Sequence, residues 1–237
     1  MSEIESSERL ALDHLIKQVA NLYSEPAVQQ LYIEFFVKQA EQETISSAPL
    51  EVERVLAACQ TLSLRSTSRF FKVESDYYDW DLQKRAFRLS APSIHHLCKT
   101  VVFENKRCPH DQYRDPFDSR FYAVTVQYTS SIDTSKLVDF LRAGSNNRYS
   151  KKHYNLRLAS PEKCLELTGF KFGGVSPIGM IHKIPVFIDK SICRLKPPVF
   201  YAGAGNIDWK IGFVIDEYIS KVSPVVVELS VAFNPEV

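Results

Sequence analysis

The chain has 237 residues and a mass of 27.1 kDa, and its 29 Lys and Arg against 28 Asp and Glu give a net charge of +1. This length suits one domain with an appendage or two small domains, and the balanced charge excludes a global electrostatic drive towards nucleic acid or membranes. Hydrophobic residues at 45% and charged residues at 24% exclude a mainly disordered chain. The five scattered cysteines and the polar, acidic start predict a reduced, cytoplasmic protein, and no apolar run approaches the roughly 18–20 residues that span a bilayer.

The first 60 residues predict three amphipathic helices. Ser24-Glu25-Pro26 separates the first two, because proline is tolerated only in the first turn of a helix. A third helix is predicted from Pro49 to Cys59, with Ser47 as a candidate N-cap and with one apolar face formed by Val52, Val55, Leu56 and Cys59. Each helix must bury its apolar stripe, either on the rest of the chain or on a partner protein. Residues 1–60 are therefore predicted to be a helical extension and candidate docking region, and residues 61–237 the main domain. The apolar positions with helical spacing are Leu12, Leu15, Ile16, Val19, Leu22, Val28, Leu31, Tyr32, Phe35 and Phe36.

The pattern changes after residue 60, where short strands alternate with helices. A helix is predicted over residues 132–143, capped by Asp133 or Thr134, and another from Ser160-Pro161-Glu162 to Leu167, closed by Gly169. Residues 105–119 predict a long loop. The predicted strands are 97–103, 121–128, 186–188, 199–201, 211–215 and 225–229.

The sequence lacks the common motifs of hydrolases and NTPases, and its zinc-type ligands are poorly spaced for one site. The chain contains no G-x-S-x-G elbow, no Walker A sequence and no H-E-x-x-H helix. His95-x-x-Cys98 and Cys108-x-His110 supply zinc-type ligands, but the intervening strand carries the two pairs apart at roughly 3.3 Å per residue. We therefore expect ordinary packing of these side chains, with no metal ligand and no cofactor.

One local basic stretch is a candidate RNA-binding surface. Residues 140–161 contain no Asp or Glu, and aromatic residues are interleaved with Lys and Arg. Such a composition is typical of a surface that binds phosphates through its cations and unstacked bases through its rings. The alternative is a solvated loop with its charges in water. The candidate tRNA-binding residues are Arg142, Arg148, Lys151, Lys152 and Arg157.

Two glycine-rich segments follow predicted helices or strands in the last third of the chain. The first runs from Thr168 to Gly179, and the second is Tyr201-Ala202-Gly203-Ala204-Gly205-Asn206. If both reach one pocket, their N–H groups can hold an anion or a carbonyl on which charge develops. Either segment alone is more typical of tight turns.

These blocks, in their order and spacing, resemble the YbaK/prolyl-tRNA-synthetase-associated domain over roughly residues 62–232. The resemblance is carried by residues 160–162, 167–169, 173–177, 184–189, 201–206 and 211–213, and by Lys99-Thr100, which fits the early Lys-Thr pair of that family. It implies a mixed α+β fold with a curved, partly barrel-like mixed sheet and flanking helices. It also implies hydrolysis of a mischarged aminoacyl-tRNA in trans to a synthetase.

The same resemblance implies the site residues. Lys99 is the functional lysine, and Gly173, Gly174 and Ser176 complete the catalytic set on a GxxxP-like loop that ends at Pro177. Pro177 of this loop is expected to bind substrate, as are Gly203, Gly205 and Asn206, which form the second wall of the pocket. The expected partners are the acceptor end of tRNA and an aminoacyl-tRNA synthetase or multi-synthetase complex. The sequence leaves open whether Ala, Ser or Cys is removed, and whether the chain is instead a catalytically silent tRNA-binding or scaffold subunit, or a folded relic.

Overall fold

The structure, a computed structural model, describes residues 3–42, 45, 47–111 and 115–232, and it has the predicted mixed α+β class. Its helices are α1 (Glu3–Ser24), α2 (Pro26–Gln42), α3 (Leu50–Thr61), α4 (Leu82–Arg88), α5 (Thr134–Gly144), α6 (Pro161–Thr168) and α7 (Ile215–Val222). Its strands are β1 (Ser68–Lys72), β2 (Cys98–Asn105), β3 (Phe121–Gln127), β4 (Ser130–Ile132), β5 (Leu156–Leu158), β6 (Val186–Asp189), β7 (Val199–Gly203), β8 (Trp209–Val214), β9 (Val225–Val227) and β10 (Ser230–Ala232). Across the described ranges, no helix is both long and apolar enough to cross a bilayer.

The strands form a mixed five-stranded sheet and two smaller sheets. The large sheet has the order β5-β2-β3-β6-β9, with β3–β6 and β6–β9 parallel and the other pairs antiparallel. A second sheet has the order β1-β8-β7, and β4 pairs with β10. Because β5 covers only the Phe103–Asn105 end of β2, Leu97 at the other end is free to bridge Tyr201 of β7. The two larger sheets therefore meet there, and the described strands close no barrel.

Local signals cap α5 and α6 as predicted, although α5 begins at Thr134 and Ile132, the predicted first residue, lies in β4. The Asp133 carboxylate accepts hydrogen bonds from the backbone N–H groups of Ser135 and Lys136 at the start of α5. The Ser160 hydroxyl accepts from the backbone N–H of Lys163, and Gly169 ends α6 with a φ of 71°, a conformation in which a side chain is strained. The predicted break between α1 and α2 is also confirmed, since α1 ends at Ser24 and α2 begins at Pro26.

The third helix is part of the main hydrophobic core. Val52, Val55 and Cys59 on one face of α3 are fully buried, as the spacing predicts, and they share a core with Phe200 of β7 and Phe213 of β8. α3 thus contributes to the same core as the strands beyond residue 60. The division of the chain into residues 1–60 and 61–237 stays a prediction.

The apolar stripe of α1 is exposed, unlike that of α3. Four of its side chains are between 39% and 58% exposed: Leu15, Ile16, Val19 and Leu22. The side chain of Leu12 is outside the part of the chain that the structure describes. On α2 the stripe divides: Phe36 is 1% exposed, but Leu31 and Phe35 are 64% and 53% exposed. An apolar helical surface is therefore left on the outside of the chain.

Some sequence expectations were wrong. Ser47 does not cap α3; Pro49 occupies the N-cap position without a side-chain hydrogen bond, and Ser47 adopts a positive φ of 56° two residues earlier. The strand predicted over 211–215 begins at Trp209 and ends at Val214, and Ile215 opens α7. β1, β4, β5, β10, α4 and α7 were not predicted, because their short segments have too few residues to show a hydrophobic period.

Candidate active site

A cavity of about 430 Å³ opens where the two larger sheets meet. One wall is the Cys98–Val102 half of β2, and the facing wall includes Ala202 and Gly203 of β7 with Lys210 of β8. Phe172, Gly173 and Val175 bring in the first glycine-rich segment, and the start of α6 closes one side. The site therefore lies at the junction that the short strand β5 leaves open.

The two glycine-rich segments converge, which the sequence had left as a possibility. The backbone N–H of Gly205 donates to the carbonyl oxygen of Gly174 at 2.8 Å. A Cβ atom at Gly203 would lie 2.5 Å from the carbonyl oxygen of Val175, a separation that side chains do not tolerate. Only glycine at 203 allows this close approach of the two backbones.

The predicted catalytic and substrate-binding residues fall into two groups. Lys99, Gly173 and Gly203 line the cavity. The other five are not among the residues that line it: Gly174, Ser176, Pro177, Gly205 and Asn206. Ser176 is fully buried, and its hydroxyl accepts a hydrogen bond from the backbone N–H of Ile178 at 3.3 Å.

Asn206 has a similar local contact. Its side-chain oxygen accepts a hydrogen bond from the backbone N–H of Asp208 at 3.0 Å. Both Ser176 and Asn206 thus order the turns that carry the lining residues. Their assigned roles in catalysis and substrate binding stay predictions.

Arg54 of α3 holds the first glycine-rich segment from behind. Its guanidinium donates to the carbonyl oxygens of Gly169 at 2.8 Å and Gly179 at 2.9 Å, and it lies over the Phe170 ring at 4.7 Å. The charged group therefore satisfies two carbonyls of a loop with few backbone partners. Through this contact α3 positions the site.

Lys210 is the main functional candidate that the sequence analysis missed. It is 5% exposed, and its Nζ donates to the carbonyl oxygens of Ile207 at 2.6 Å and Trp209 at 3.4 Å. Burial lowers the pKa of the Lys210 ammonium to about 7, with Asp208 opposing the shift. The available signal was a lone lysine directly before an apolar strand whose predicted start, Ile211, is two residues later than its actual start at Trp209.

Aromatic side chains surround the cations of the cavity. The Tyr78 hydroxyl donates to the carbonyl oxygen of Gly173 at 2.6 Å, which ties the aromatic wall to the glycine-rich segment. Lys210 Nζ lies 4.7 Å from the Tyr78 ring centre, and Lys99 Nζ lies 5.6 Å from that of Tyr128. Burial also lowers the pKa of Lys99. Rings over ammonium groups offset part of the loss of water around them.

The cavity is electropositive, and its thiols are not activated. Lys99, Arg85 and Lys210 are among the residues that line it, whereas these residues include no Asp or Glu. Burial raises the pKa of both lining thiols, Cys98 and Cys164, so neither is a thiolate near neutral pH. The arrangement can bind an anion and orient water, but it does not resemble a thiol-nucleophile site.

The basic stretch forms an exposed surface whose aromatic residues are already occupied. Arg148, Lys152 and Arg157 are exposed, and Lys151 and Arg142 lie 3.5 and 3.9 Å from the Asp139 carboxylate. The rings of Tyr149 and His153 stack on each other at 4.0 Å, and Tyr154 is 7% exposed. The cations can still meet phosphates, whereas these rings are not presented to bases.

The site geometry agrees with the sequence family. The aminoacyl-tRNA editing domain family matches residues 83–219, more than half of the chain. The chain belongs to this family. No curated protein gives a significant match. The matched range includes Lys99, both glycine-rich segments and Lys210, while α3 and its Arg54 lie outside it.

Solved structures show the same fold at low sequence identity. One, described as a proposed trans-editing enzyme for prolyl tRNA synthetase, is 20% identical with a TM-score of 0.61, and the match covers 78% of this chain and 100% of that one. A hypothetical protein is 20% identical with a TM-score of 0.57, over 75% of this chain and 99% of that one. A scaffold protein used for epitope grafting is 16% identical with a TM-score of 0.60, over 78% and 100%.

Proposed function

We propose that this chain is a trans-editing deacylase that hydrolyses the ester of a mischarged aminoacyl-tRNA carrying a small amino acid such as Ala, Ser or Cys. Membership of the editing-domain family supports the reaction class. The observation that carries the proposal is the cavity in which Lys99 and Lys210 face the converged glycine-rich segments without any lining carboxylate. Such a site suits the anionic acceptor end of a tRNA.

The ester bond needs little chemical activation from the protein. An aminoacyl ester is already reactive, so positioning of water and stabilisation of the developing oxyanion account for most of the required catalysis. In the proposal, backbone N–H groups of the first glycine-rich segment stabilise the oxyanion. Lys99 binds the phosphate of the terminal adenosine.

Lys210 is the proposed proton acceptor for the attacking water. A neutral amine has two donors and one lone pair, and the two donors match the contacts with the Ile207 and Trp209 carbonyl oxygens. Its pKa of about 7 makes the neutral form available near neutral pH, which an ordinary lysine does not provide. The rate of deacylation should therefore rise with pH up to about 7 and then level off.

In the proposal, the size of the cavity limits which mischarged amino acid the chain accepts. One methylene in an apolar pocket contributes only about 1–3 kcal/mol of discrimination, so synthetases mischarge small residues that a second site must then remove. Part of the 430 Å³ cavity must hold the terminal adenosine, which leaves limited space for the amino acid side chain.

A deacylation assay with a matched lysine control tests the proposal. Proline tRNA charged with Ala, Ser or Cys, and alanine tRNA charged with Ser, are incubated with wild type, Lys99→Ala and Lys38→Ala. Lys38 is an exposed lysine on α2, outside the cavity. We expect wild type and Lys38→Ala to release amino acid, and Lys99→Ala to release it at least tenfold more slowly. Equal rates for all three proteins would contradict the role of Lys99.

The exposed apolar surface of α1 and α2 favours a second candidate, a catalytically silent tRNA-binding or scaffold subunit of a synthetase complex. Leu31 and Phe35 on this surface are 64% and 53% exposed. Gel filtration with a synthetase compares wild type with Leu31→Glu/Phe35→Glu. Complex formation by wild type alone, together with no release from any mischarged tRNA, would support the scaffold function over the deacylase.

A further inference from the structure

A cluster of three metal-ligating side chains lies in the connection between β2 and β3. Cys108 Sγ lies 3.5 Å from His110 Nε2, and His110 Nε2 lies 3.0 Å from Asp118 Oδ1. The three ligand atoms are all within 4.8 Å of one another. The side chains are well buried: Cys108 is 7% exposed and Asp118 3%.

The geometry is that of converging ligands and not of a catalytic triad. In a triad, one ring nitrogen of histidine faces the nucleophile and the other faces the acid. Here the same atom, His110 Nε2, faces both the Cys108 sulfur and the Asp118 carboxylate. A cation between the three atoms satisfies this arrangement, because each ligand then directs a lone pair to one point.

The donor set and the separations suit zinc. A thiolate, an imidazole and a carboxylate are all common zinc ligands. Zinc bond lengths and a tetrahedral angle place sulfur and nitrogen about 3.6 Å apart, and nitrogen and oxygen about 3.4 Å apart. The observed 3.5 and 3.0 Å are close to both values. We propose that Cys108, His110 and Asp118 bind a zinc ion, with water as the fourth ligand.

Neighbouring residues hold the proposed ligands in place. The Tyr149 hydroxyl donates to the second carboxylate oxygen of Asp118 at 3.0 Å, and the backbone N–H of Asp118 donates to the Asp115 carboxylate at 3.0 Å. A ligating carboxylate usually has such a partner. Because Tyr149 lies within the basic stretch, the zinc ion would also fasten that stretch to the β2–β3 connection.

The proposed site is separate from the cavity and from the zinc set considered in the sequence. His95 and Cys98 lie at the opposite end of β2, where His95 Nδ1 contacts the Thr129 hydroxyl at 3.1 Å. In the proposed ligand set, Asp118 takes the place of His95 and Cys98. It lies ten residues after Cys108 in the sequence. None of the three proposed ligands lines the cavity. The zinc ion would lie outside the proposed deacylation site and would take no part in that reaction.

Metal analysis of the full chain, produced without a histidine tag, tests the proposal. Protein stripped with a chelator is titrated with Zn²⁺ or Co²⁺, and bound metal is measured after desalting. We expect one ion per chain for wild type and for the control Cys193→Ser/His182→Ala, which removes a cysteine and a histidine outside the cluster. Cys108→Ser/His110→Ala should retain none, and wild type should show a thiolate-to-cobalt charge-transfer band that this variant lacks.

Two further variants keep the test decisive if the double variant misfolds. Asp118→Asn preserves the shape of the side chain, and Tyr149→Phe removes only the supporting hydroxyl. We expect each to lower zinc affinity, Tyr149→Phe by about 10–100-fold. The proposal would be overturned if wild type held less than one ion per chain. It would also be overturned if wild type, Asp118→Asn and Cys108→Ser/His110→Ala retained equal amounts of metal, which would make the bound metal an adventitious ion only.

Discussion

Replacing Lys210 with methionine should stabilise the protein and abolish its activity. Burial lowers the pKa of Lys210 from 10.5 to about 7, and since one pKa unit corresponds to about 1.4 kcal/mol, the charged form is destabilised in the fold by at most about 5 kcal/mol. Between these two pKa values the unfolded chain binds more protons than the folded chain, so the free energy of unfolding rises with pH. At pH 7 about 4 kcal/mol of the penalty remains, and at pH 9 about 2 kcal/mol.

Methionine removes this penalty but loses the two hydrogen bonds of Nζ. The Ile207 carbonyl oxygen loses this partner, whereas the Trp209 carbonyl oxygen keeps its hydrogen bond from the backbone N–H of Ala204 at 3.1 Å. One unpaired carbonyl costs about 1–2 kcal/mol, so Lys210→Met should be more stable than wild type by about 2–3 kcal/mol at pH 7. The hydrogen-bond loss does not depend on pH. The stability difference should therefore shrink by about 2 kcal/mol from pH 7 to pH 9.

Urea denaturation at pH 7 and pH 9 measures these differences, with Lys38→Met as the exposed-lysine control. Wild type and the control should gain stability over this range relative to Lys210→Met. The same variant should lose deacylation, since a stabilising change that removes activity is typical of a strained functional group. Equal pH slopes for wild type and Lys210→Met would refute the assignment of a buried, titrating lysine.

Three further predictions concern the support of the site and its tRNA surface. Gly203→Ala should force the glycine-rich segments apart at Val175, lowering stability by about 1–3 kcal/mol in urea denaturation and slowing deacylation. Arg54→Leu leaves two carbonyl oxygens unpaired and should cost about 2–4 kcal/mol, whereas Glu53→Ala on the exposed face of α3 should change stability by less than about 0.5 kcal/mol. Neutralising Arg148, Lys152 and Arg157 should weaken tRNA binding and reduce the slope of log affinity against log salt by about 2–3, whereas an unchanged slope would make this surface a solvated loop.

Elements with local signals could be predicted from the sequence. Ser160, Pro161 and Gly169 define α6 without help from the rest of the chain, because N-caps and C-caps act within one turn. The spacing of Val52, Val55 and Cys59 likewise predicts the buried face of α3. Ser47 was a wrong choice of cap because proline at 49 already supplies a helix start without any side-chain acceptor.

Features that depend on distant parts of the chain could not be predicted in this way. Lys210 is buried because its side chain packs against the rings of Tyr77 and Tyr78, which lie more than 130 residues earlier in the chain. Its register opposite Gly203 and Phe71 is likewise a property of the assembled sheet. Asp118 reaches Cys108 and His110 only because the β2–β3 connection folds back. The bracing of the glycine-rich segments by Arg54 joins positions more than 100 residues apart.

The most direct test of the central claim is release of alanine from mischarged proline tRNA by the purified chain, followed over time at pH 7.5. Proline tRNA carrying proline serves as the correctly charged control. We predict that wild type releases alanine and leaves proline attached, and that Lys99→Ala releases alanine at least tenfold more slowly. Failure of wild type to release any of Ala, Ser or Cys from a mischarged tRNA that it binds would contradict the account.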